Sequence, residues 1–121
     1  MESNFKKKNS FEKRNTESKT IISKYPGRLP IIVEKHNSCE LISIDKNKYL
    51  VPKEMTVSQF IFIIRKRINL ESNQSLFVTV GGRLVSSNLL ISEIYSQYKD
   101  KDGFCILFIQ VKILLDNTTY K

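Results

Sequence analysis

The sequence lacks tryptophan and holds one histidine, two cysteines, three prolines and four glycines among 121 residues. Cys39 and Cys105 are far apart and form no C-x-x-C pair, so neither a disulfide framework nor a metal site is predicted, and no cofactor is expected. Cysteine usage of this kind favours a reducing, cytoplasmic compartment. A hydrophobic fraction of 40% and a charged fraction of 26% are typical of one domain with one core.

A long apolar segment is also missing. The longest uninterrupted apolar run covers residues 104–109, far short of the roughly 20 residues that span a bilayer. The first residues, MESNFKKKNSFEKR, are rich in lysine and contain no apolar stretch, so a secretory signal is not predicted. Any association with a membrane is therefore expected to be peripheral or covalent.

Acidic residues are scarce at the beginning of the chain. Residues 1–28 hold eight Lys or Arg against three Glu, a local charge of +5, and the remaining 93 residues contribute +3 to the total of +8. This asymmetry predicts a basic arm that meets an acidic partner such as anionic lipid, nucleic acid or an acidic peptide. A solvated helix face that only keeps the protein soluble explains the charge equally well.

Patterns typical of catalysis are absent from the sequence. His36 lies near Cys39 in a polar loop, but a Cys–His couple needs a third, orienting group that the sequence does not indicate. The pair Gly81-Gly82 lacks the context of a phosphate-binding loop and is interpreted as a turn. No stretch interleaves basic and aromatic residues as RNA-binding strands do. We therefore expect no enzyme, no catalytic residue and no nucleic-acid partner.

The chain begins with a helical pattern followed by a strand-like pattern. A thinly amphipathic helix is predicted over residues 10–25. The segment RLPIIVEK, residues 28–35, is predicted to be a strand that is buried on both faces. The residues predicted to share one face of the helix are Phe11, Ser18, Ile22 and Tyr25.

The second half begins with a strongly patterned helix. Thr56 is predicted to cap it, and Gln59 completes a capping box. A strand, a Gly81-Gly82 turn and a short returning strand follow, then a short helix over residues 88–99 and an apolar strand over 104–111. This order predicts an α+β roll of the ubiquitin type with an added N-terminal helix, and the alternative is another four-stranded α+β sandwich. The stripe predicted to face the core is Val57, Phe60, Ile61, Ile64 and Ile68.

The segment NKYLVPKE, residues 47–54, predicts an edge strand. Proline gives no N–H to a ladder, so a strand that reaches Pro52 lies at a sheet edge or ends there. An open edge can accept an extended peptide as an extra strand. Lys48 and Leu50 would face one side and Tyr49 and Val51 the other, which allows two pockets on opposite sides of one docking line. The alternative is an ordinary core-facing strand with a solvated lysine pair.

Several blocks of residues resemble a known family. They are FEKR (11–14), KYPGRLPIIVEK (24–35), DKNKYLVPKEMTVSQF (45–60), IRKRINL (64–70), LFVTV (76–80) and DKDGF (100–104). Together they resemble the autophagy ubiquitin-like modifiers that include GABA-receptor-associated protein and microtubule-associated protein light chain 3. The resemblance covers residues 5–108 without a gap. It implies two N-terminal helices before a ubiquitin-like β-grasp domain, with a basic helical subdomain over 1–25, the ubiquitin-like domain over 26–110 and a divergent tail over 111–121.

The resemblance also implies a site on the KYLVP strand for partner segments of the form aromatic-x-x-aliphatic. Basic residues beside it would attract the acidic residues that often flank such segments, namely Arg28, Lys46 and Arg67. The pocket for the partner's aromatic residue, called here the aromatic pocket, would consist of Glu17, Ile21, Pro30, Ile32, Lys48, Leu50 and Phe104. The pocket for its aliphatic residue, the aliphatic pocket, would consist of Tyr49, Val51, Pro52, Met55, Phe60 and Ile63.

By resemblance, the chain is expected to act in autophagosome formation and in the recruitment of cargo receptors and adaptors. The other implied partners are ubiquitin-like activating and conjugating enzymes and, through a C-terminal glycine, the phosphatidylethanolamine of the autophagosome membrane. No glycine follows residue 103 here, and Tyr120 and Lys121 stand where the family has an aromatic residue and glycine. We therefore expect docking without lipidation. The alternative is that the last segment, including VKILL, results from a mispredicted or incomplete coding sequence.

A second functional hypothesis uses the basic N-terminus alone. A non-lipidated basic adaptor would bind tubulin tails or another acidic polymer through the N-terminal helices. This hypothesis predicts strong salt dependence and no role for Leu50.

Overall fold

The computed structural model describes residues 3–36 and 44–113. The described residues form one five-stranded mixed sheet with helices on both faces, so the predicted α+β class with two N-terminal helices is confirmed. The strands lie in the order β2-β1-β5-β3-β4. Along the chain the elements are α1 (Asn4–Lys8), α2 (Phe11–Lys24), β1 (Arg28–Lys35), β2 (Lys48–Pro52), α3 (Val57–Arg67), β3 (Gln74–Val80), β4 (Arg83–Leu84), α4 (Ile91–Tyr98) and β5 (Cys105–Ile113).

Strand β1 is an interior strand that is buried on both faces, as predicted from its apolar run. It pairs antiparallel with β2 and parallel with β5. Alternate residues point to opposite faces of a strand, so Ile31 and Val33 join the main core with α3 and α4, whereas Ile32 joins a smaller core on the other face. The smaller core contains Phe5 of α1 and Phe104 next to β5, with Ile21 of α2 packed against it.

Helix α3 forms as its sequence predicts. The Thr56 side chain accepts a hydrogen bond from the Gln59 backbone N–H, and the Gln59 side chain accepts one from the Thr56 N–H. Both donors would otherwise lack a partner in the first turn. The predicted stripe faces the sheet: Val57, Phe60 and Ile64 are buried, and Ile61 and Ile68 are partly buried against the same core.

Helix α2 has the predicted extent, but of the four residues predicted to share one face only Ser18 is buried. Ser18 is 1% exposed, whereas Phe11, Ile22 and Tyr25 are 49%, 40% and 41% exposed. Besides the packing of Ile21 on the smaller core, polar contacts at its middle hold the helix on the domain. The Ser18 hydroxyl donates to the backbone carbonyl of Asp102, and the Arg14 guanidinium binds the Asp102 carboxylate.

Helix α1 is short and is anchored by a carboxylate from the sheet. The buried Glu34 side chain of β1 accepts hydrogen bonds from the backbone N–H groups of Asn4, at 2.7 Å, and Phe5, at 3.4 Å. It also accepts from the hydroxyl of Ser3, the N-cap residue. Because a negative charge at a helix N-terminus is favourable, Glu34 fixes α1 against the sheet and places Phe5 on the ring of Phe104.

The hairpin and the last strand complete the sheet. Gly81 and Gly82 connect β3 to β4 with φ values of +57° and +78°, as the predicted tight turn requires. Strand β5 continues past residue 111, and Ile113 still pairs with Gln74 of β3. Residues 114–121, which make up most of the predicted tail, lie outside the described residues, as does Cys39.

Candidate functional site

Strand β2 is at the edge of the sheet. It pairs only with β1 among the described residues. The backbone N–H of Val33 donates to the Asn47 carbonyl at 2.8 Å, and that of Lys53 donates to the Gly27 carbonyl at 3.2 Å. With the observed register, these two bonds place the odd-numbered residues of β2 in the hydrogen-bonded pairs. The backbone groups of the even-numbered residues, Lys48 and Leu50, therefore face away from β1.

The same alternation explains Pro52. Its nitrogen, like that of the other even-numbered residues, faces the outer side of β2, where no N–H is needed for pairing with β1. Proline therefore ends the strand without breaking the β1–β2 ladder. The outer side of β2 is left with the N–H and C=O groups of Lys48 and Leu50 as its pairing groups.

The side chains of β2 alternate between the two faces. Lys48 and Leu50 lie on the face of the N-terminal helices: the Lys48 ammonium is 2.7 Å from a Glu17 carboxylate oxygen and 5.6 Å from the Phe5 ring centroid. Tyr49 and Val51 lie in the main core, and the Tyr49 ring meets the Phe60 ring edge-on with centroids 5.4 Å apart. The two predicted pockets therefore fall on opposite sides of β2.

The residues of the predicted aromatic pocket lie on the face of the sheet that the N-terminal helices cover. Of the predicted set, Glu17 and Lys48 line a surface cavity of about 630 Å³, and the other residues in its wall are also polar: Ser10, Glu12, Lys13 and Thr16. Ile32 and Phe104 are fully buried in the smaller core, and Ile21 packs on that core. Pro30 is buried directly opposite the half-buried Leu50. Sequence reasoning missed Phe5, and the signal that could have found it is a lone apolar residue in the polar segment SNFKKKN.

The residues of the predicted aliphatic pocket lie between β2 and α3. Pro52, Met55 and Ile63 line a surface cavity of about 670 Å³. The exposed ring of Phe62 also lines it and was not predicted. The deeper residues of the predicted set are buried in the main core, and they are Tyr49, Val51 and Phe60.

The three predicted basic residues are exposed and make different contacts. Arg28 Nη1 donates to the Leu50 carbonyl oxygen at 3.0 Å. The Lys46 ammonium lies 4.7 Å from the Tyr49 ring centroid, and Arg67 Nη2 is 3.4 Å from a carboxylate oxygen of Asp45. Burial raises the pKa of the Tyr49 phenol, Arg67 opposes that shift and Asp45 adds to it, so Tyr49 remains neutral at physiological pH.

Cys105 and any clusters of acidic, His and Cys residues bear on reactivity and metal binding in the described residues. The Cys105 side chain is fully buried, and burial raises the pKa of its thiol to about 12, so the reactive thiolate is negligible at neutral pH. No group of three or more His, Cys, Asp or Glu residues that could hold a metal ion occurs in the described ranges. Within those ranges, no helix combines the length and hydrophobicity needed to cross a bilayer.

Comparisons with known proteins agree on one family. The family described as "Autophagy protein Atg8 ubiquitin like" matches residues 13–113. Autophagy-related protein 8 of Mycosarcoma maydis is 47% identical over 104 residues, which are 86% of this chain and 88% of the relative. Autophagy-related protein 8e of Arabidopsis thaliana is 48% identical over 100 residues, covering 83% and 82% of the two chains.

Solved structures of relatives have the same fold. The crystal structure of Trypanosoma brucei ATG8 superimposes with a TM-score of 0.90 at 34% identity, covering 96% of this chain and all of the other. Plasmodium falciparum Atg8, solved in complex with a Plasmodium falciparum Atg3 peptide, superimposes with a TM-score of 0.80 at 35% identity, covering 91% and 96%. None of these comparisons favours the hypothesis of a basic polymer-binding adaptor. The chain belongs to the Atg8 family of ubiquitin-like autophagy proteins.

Proposed function

We propose that this chain recruits autophagy partners by accepting an aromatic-x-x-aliphatic segment as an extra strand on β2. The observation that carries the proposal is the outward direction of the Lys48 and Leu50 backbone groups at an edge with a cavity on each side. Main-chain hydrogen bonds would supply affinity that does not depend on the partner's sequence. The two cavities would supply specificity.

The order of the two cavities along β2 favours one direction for the partner. The predicted aromatic pocket includes Lys48, where β2 begins, and the predicted aliphatic pocket includes Pro52, where β2 ends. An extended chain rises about 3.3 Å per residue and alternates its side chains. Positions three apart therefore lie about 10 Å apart on opposite faces, so the partner would run parallel to β2.

The partners that fit this site are cargo receptors, adaptors and the activating and conjugating enzymes of the family. The Atg3 peptide bound to the Plasmodium falciparum relative supports peptide docking in this fold. The chain would act as a recruiting scaffold in the cytoplasm rather than as an enzyme. Attachment to phosphatidylethanolamine of the autophagosome membrane would depend on residues 114–121, which lie outside the described residues.

We further propose that residues 1–25 work as a subdomain that forms one side of the site. Glu17 of α2 lines the cavity that Lys48 also lines, and Phe5 of α1 and Ile21 of α2 belong to the same smaller core as Ile32 and Phe104. Residues 26–110 would provide β2 and the aliphatic pocket. Recognition would then need both parts of the chain.

Titration calorimetry with a peptide that carries acidic residues before Trp-x-x-Leu tests the proposal. Leu50→Ala is expected to lower the affinity at least tenfold, about 1.4 kcal/mol, because truncation of an aliphatic side chain leaves the docked aromatic ring poorly packed. Leu84→Ala is the matched control, since Leu84 is 70% exposed on β4 at the opposite edge of the sheet. Equal affinities of the two variants, or no binding by the unmodified chain, would refute docking at β2.

A further inference from the structure

The guanidinium of Arg28 covers part of the open edge. Its Nη1 donates to the Leu50 carbonyl oxygen at 3.0 Å, although Arg28 itself lies on β1, opposite Pro52. The pairing of β1 with β2 places that carbonyl on the outer side of β2. The Arg28 side chain therefore extends across the face of β2 and occupies an acceptor that an added strand would use.

This contact distinguishes Arg28 from the other two basic residues of the site. Lys46 lies over the Tyr49 ring, and Arg67 is next to Asp45. Neither contact involves a backbone group of the β2 edge. A partner's acidic residue can pair with Lys46 or Arg67 without displacing anything from the strand, whereas at Arg28 the partner's backbone N–H competes with the guanidinium for the Leu50 carbonyl. Charged side chains that block an edge are a common protection against unwanted strand pairing.

We propose that the Arg28–Leu50 hydrogen bond is a latch that selects partners with an acidic residue next to the aromatic-x-x-aliphatic segment. This inference rests on docking at β2. An acidic side chain draws the guanidinium into an ion pair and frees the Leu50 carbonyl for the partner's backbone N–H. A partner with neutral flanks must displace the guanidinium without that compensation. Arg28 then contributes to specificity by disfavouring the wrong partner as well as by attracting the right one.

The latch makes a prediction that attraction alone does not make. If Arg28 only attracted acidic residues, its removal would lower the affinity for acidic partners and leave the affinity for neutral partners unchanged. If it also latches the edge, its removal strengthens binding of neutral partners. The two explanations therefore predict different changes in affinity for a neutral partner. They can be distinguished with two peptides that share one aromatic-x-x-aliphatic core and differ only in their flanks.

The experiment compares the unmodified chain with Arg28→Ala, Lys46→Ala and Arg67→Ala by calorimetry at one fixed salt concentration. One peptide has acidic flanks and the other has serine and glycine at the same positions. We expect Arg28→Ala to bind the neutral peptide twofold to fivefold more tightly and the acidic peptide several-fold more weakly. Lys46→Ala and Arg67→Ala should lower the affinity for the acidic peptide only.

The outcomes separate this inference from the proposed function. If Arg28→Ala binds the neutral peptide no better than the unmodified chain, or if neither binds it measurably, the latch is refuted while docking of the acidic peptide still stands. A gain for the neutral peptide in Lys46→Ala or Arg67→Ala would also refute it, because it would show a general charge effect. If the unmodified chain fails to bind the acidic peptide, the docking proposal itself fails.

Discussion

Asp102→Ala is expected to lower the free energy of unfolding by about 3 kcal/mol. The Asp102 side chain is fully buried, binds the Arg14 guanidinium and accepts the Phe104 backbone N–H at 2.9 Å. Its removal leaves Arg14, whose side chain is 12% exposed, without a carboxylate partner. It also leaves a buried N–H group unsatisfied, which carries its own penalty. Urea unfolding followed by circular dichroism measures the loss.

Asp100→Ala is the matched control in the same loop. The Asp100 carboxylate is 3.1 Å from the Lys6 ammonium, but the two side chains are 35% and 41% exposed. An exposed ion pair contributes at most about 1 kcal/mol. A clear difference between the two variants is therefore expected, and equal losses of stability would show that the Arg14–Asp102 contact does not hold α2 on the domain.

Gly103→Ala is expected to destabilise the protein by a similar amount, about 3 kcal/mol, for a different reason. Gly103 has a φ of +88°, a conformation that costs an L-residue roughly 1–2 kcal/mol. A Cβ atom at this position would lie 2.9 Å from Ser18 Cβ and still closer to its hydroxyl. Overpacking of that kind adds about 1–3 kcal/mol. The clash would push α2 away from the loop that precedes β5.

Gly27→Ala tests whether the effect is specific to this position. A Cβ added to Gly27 would meet no described atom within 4 Å, and the φ of Gly27 is not positive, so the same substitution should change stability by less than about 1 kcal/mol. Ser18→Gly removes the clashing atoms but also the hydrogen bond to Asp102, so the comparison is a double-mutant cycle: Gly103→Ala should cost less stability in the Ser18→Gly background than in the unmodified chain. Thermal melts in which Gly27→Ala and Gly103→Ala behave alike would contradict this explanation.

The parts of the fold that could be predicted depend on residues close together in the sequence. The capping box of α3 joins Thr56 to Gln59, and the tight turn needs only Gly81 and Gly82, so local patterns suffice. The burial of α2 could not be predicted in this way. It depends on Ser18 meeting the backbone of Asp102, 84 positions away, and a serine at the centre of a buried helix face carries no hydrophobic signal.

In the candidate site, too, features set by neighbouring residues could be predicted and features set by distant contacts could not. Pro52 indicated an edge strand because the missing N–H is a local property, and the alternation of β2 follows from any extended strand. The contact of Arg28 with the Leu50 carbonyl depends on the antiparallel register of two strands joined by a segment of the chain that includes residues 37–43. The place of Phe5 depends on a carboxylate of β1 that caps α1. Neither could be derived from spacing.

Amide hydrogen exchange in β2 tests the central claim most directly. In the free protein the amides of Tyr49 and Val51, which pair with β1, should be protected, whereas those of Lys48 and Leu50 should exchange rapidly. Saturation with the acidic aromatic-x-x-aliphatic peptide should protect the Lys48 and Leu50 amides and leave the other two unchanged. Tight peptide binding with no added protection at Lys48 and Leu50, or strong protection of both before the peptide is added, would contradict strand addition at this edge.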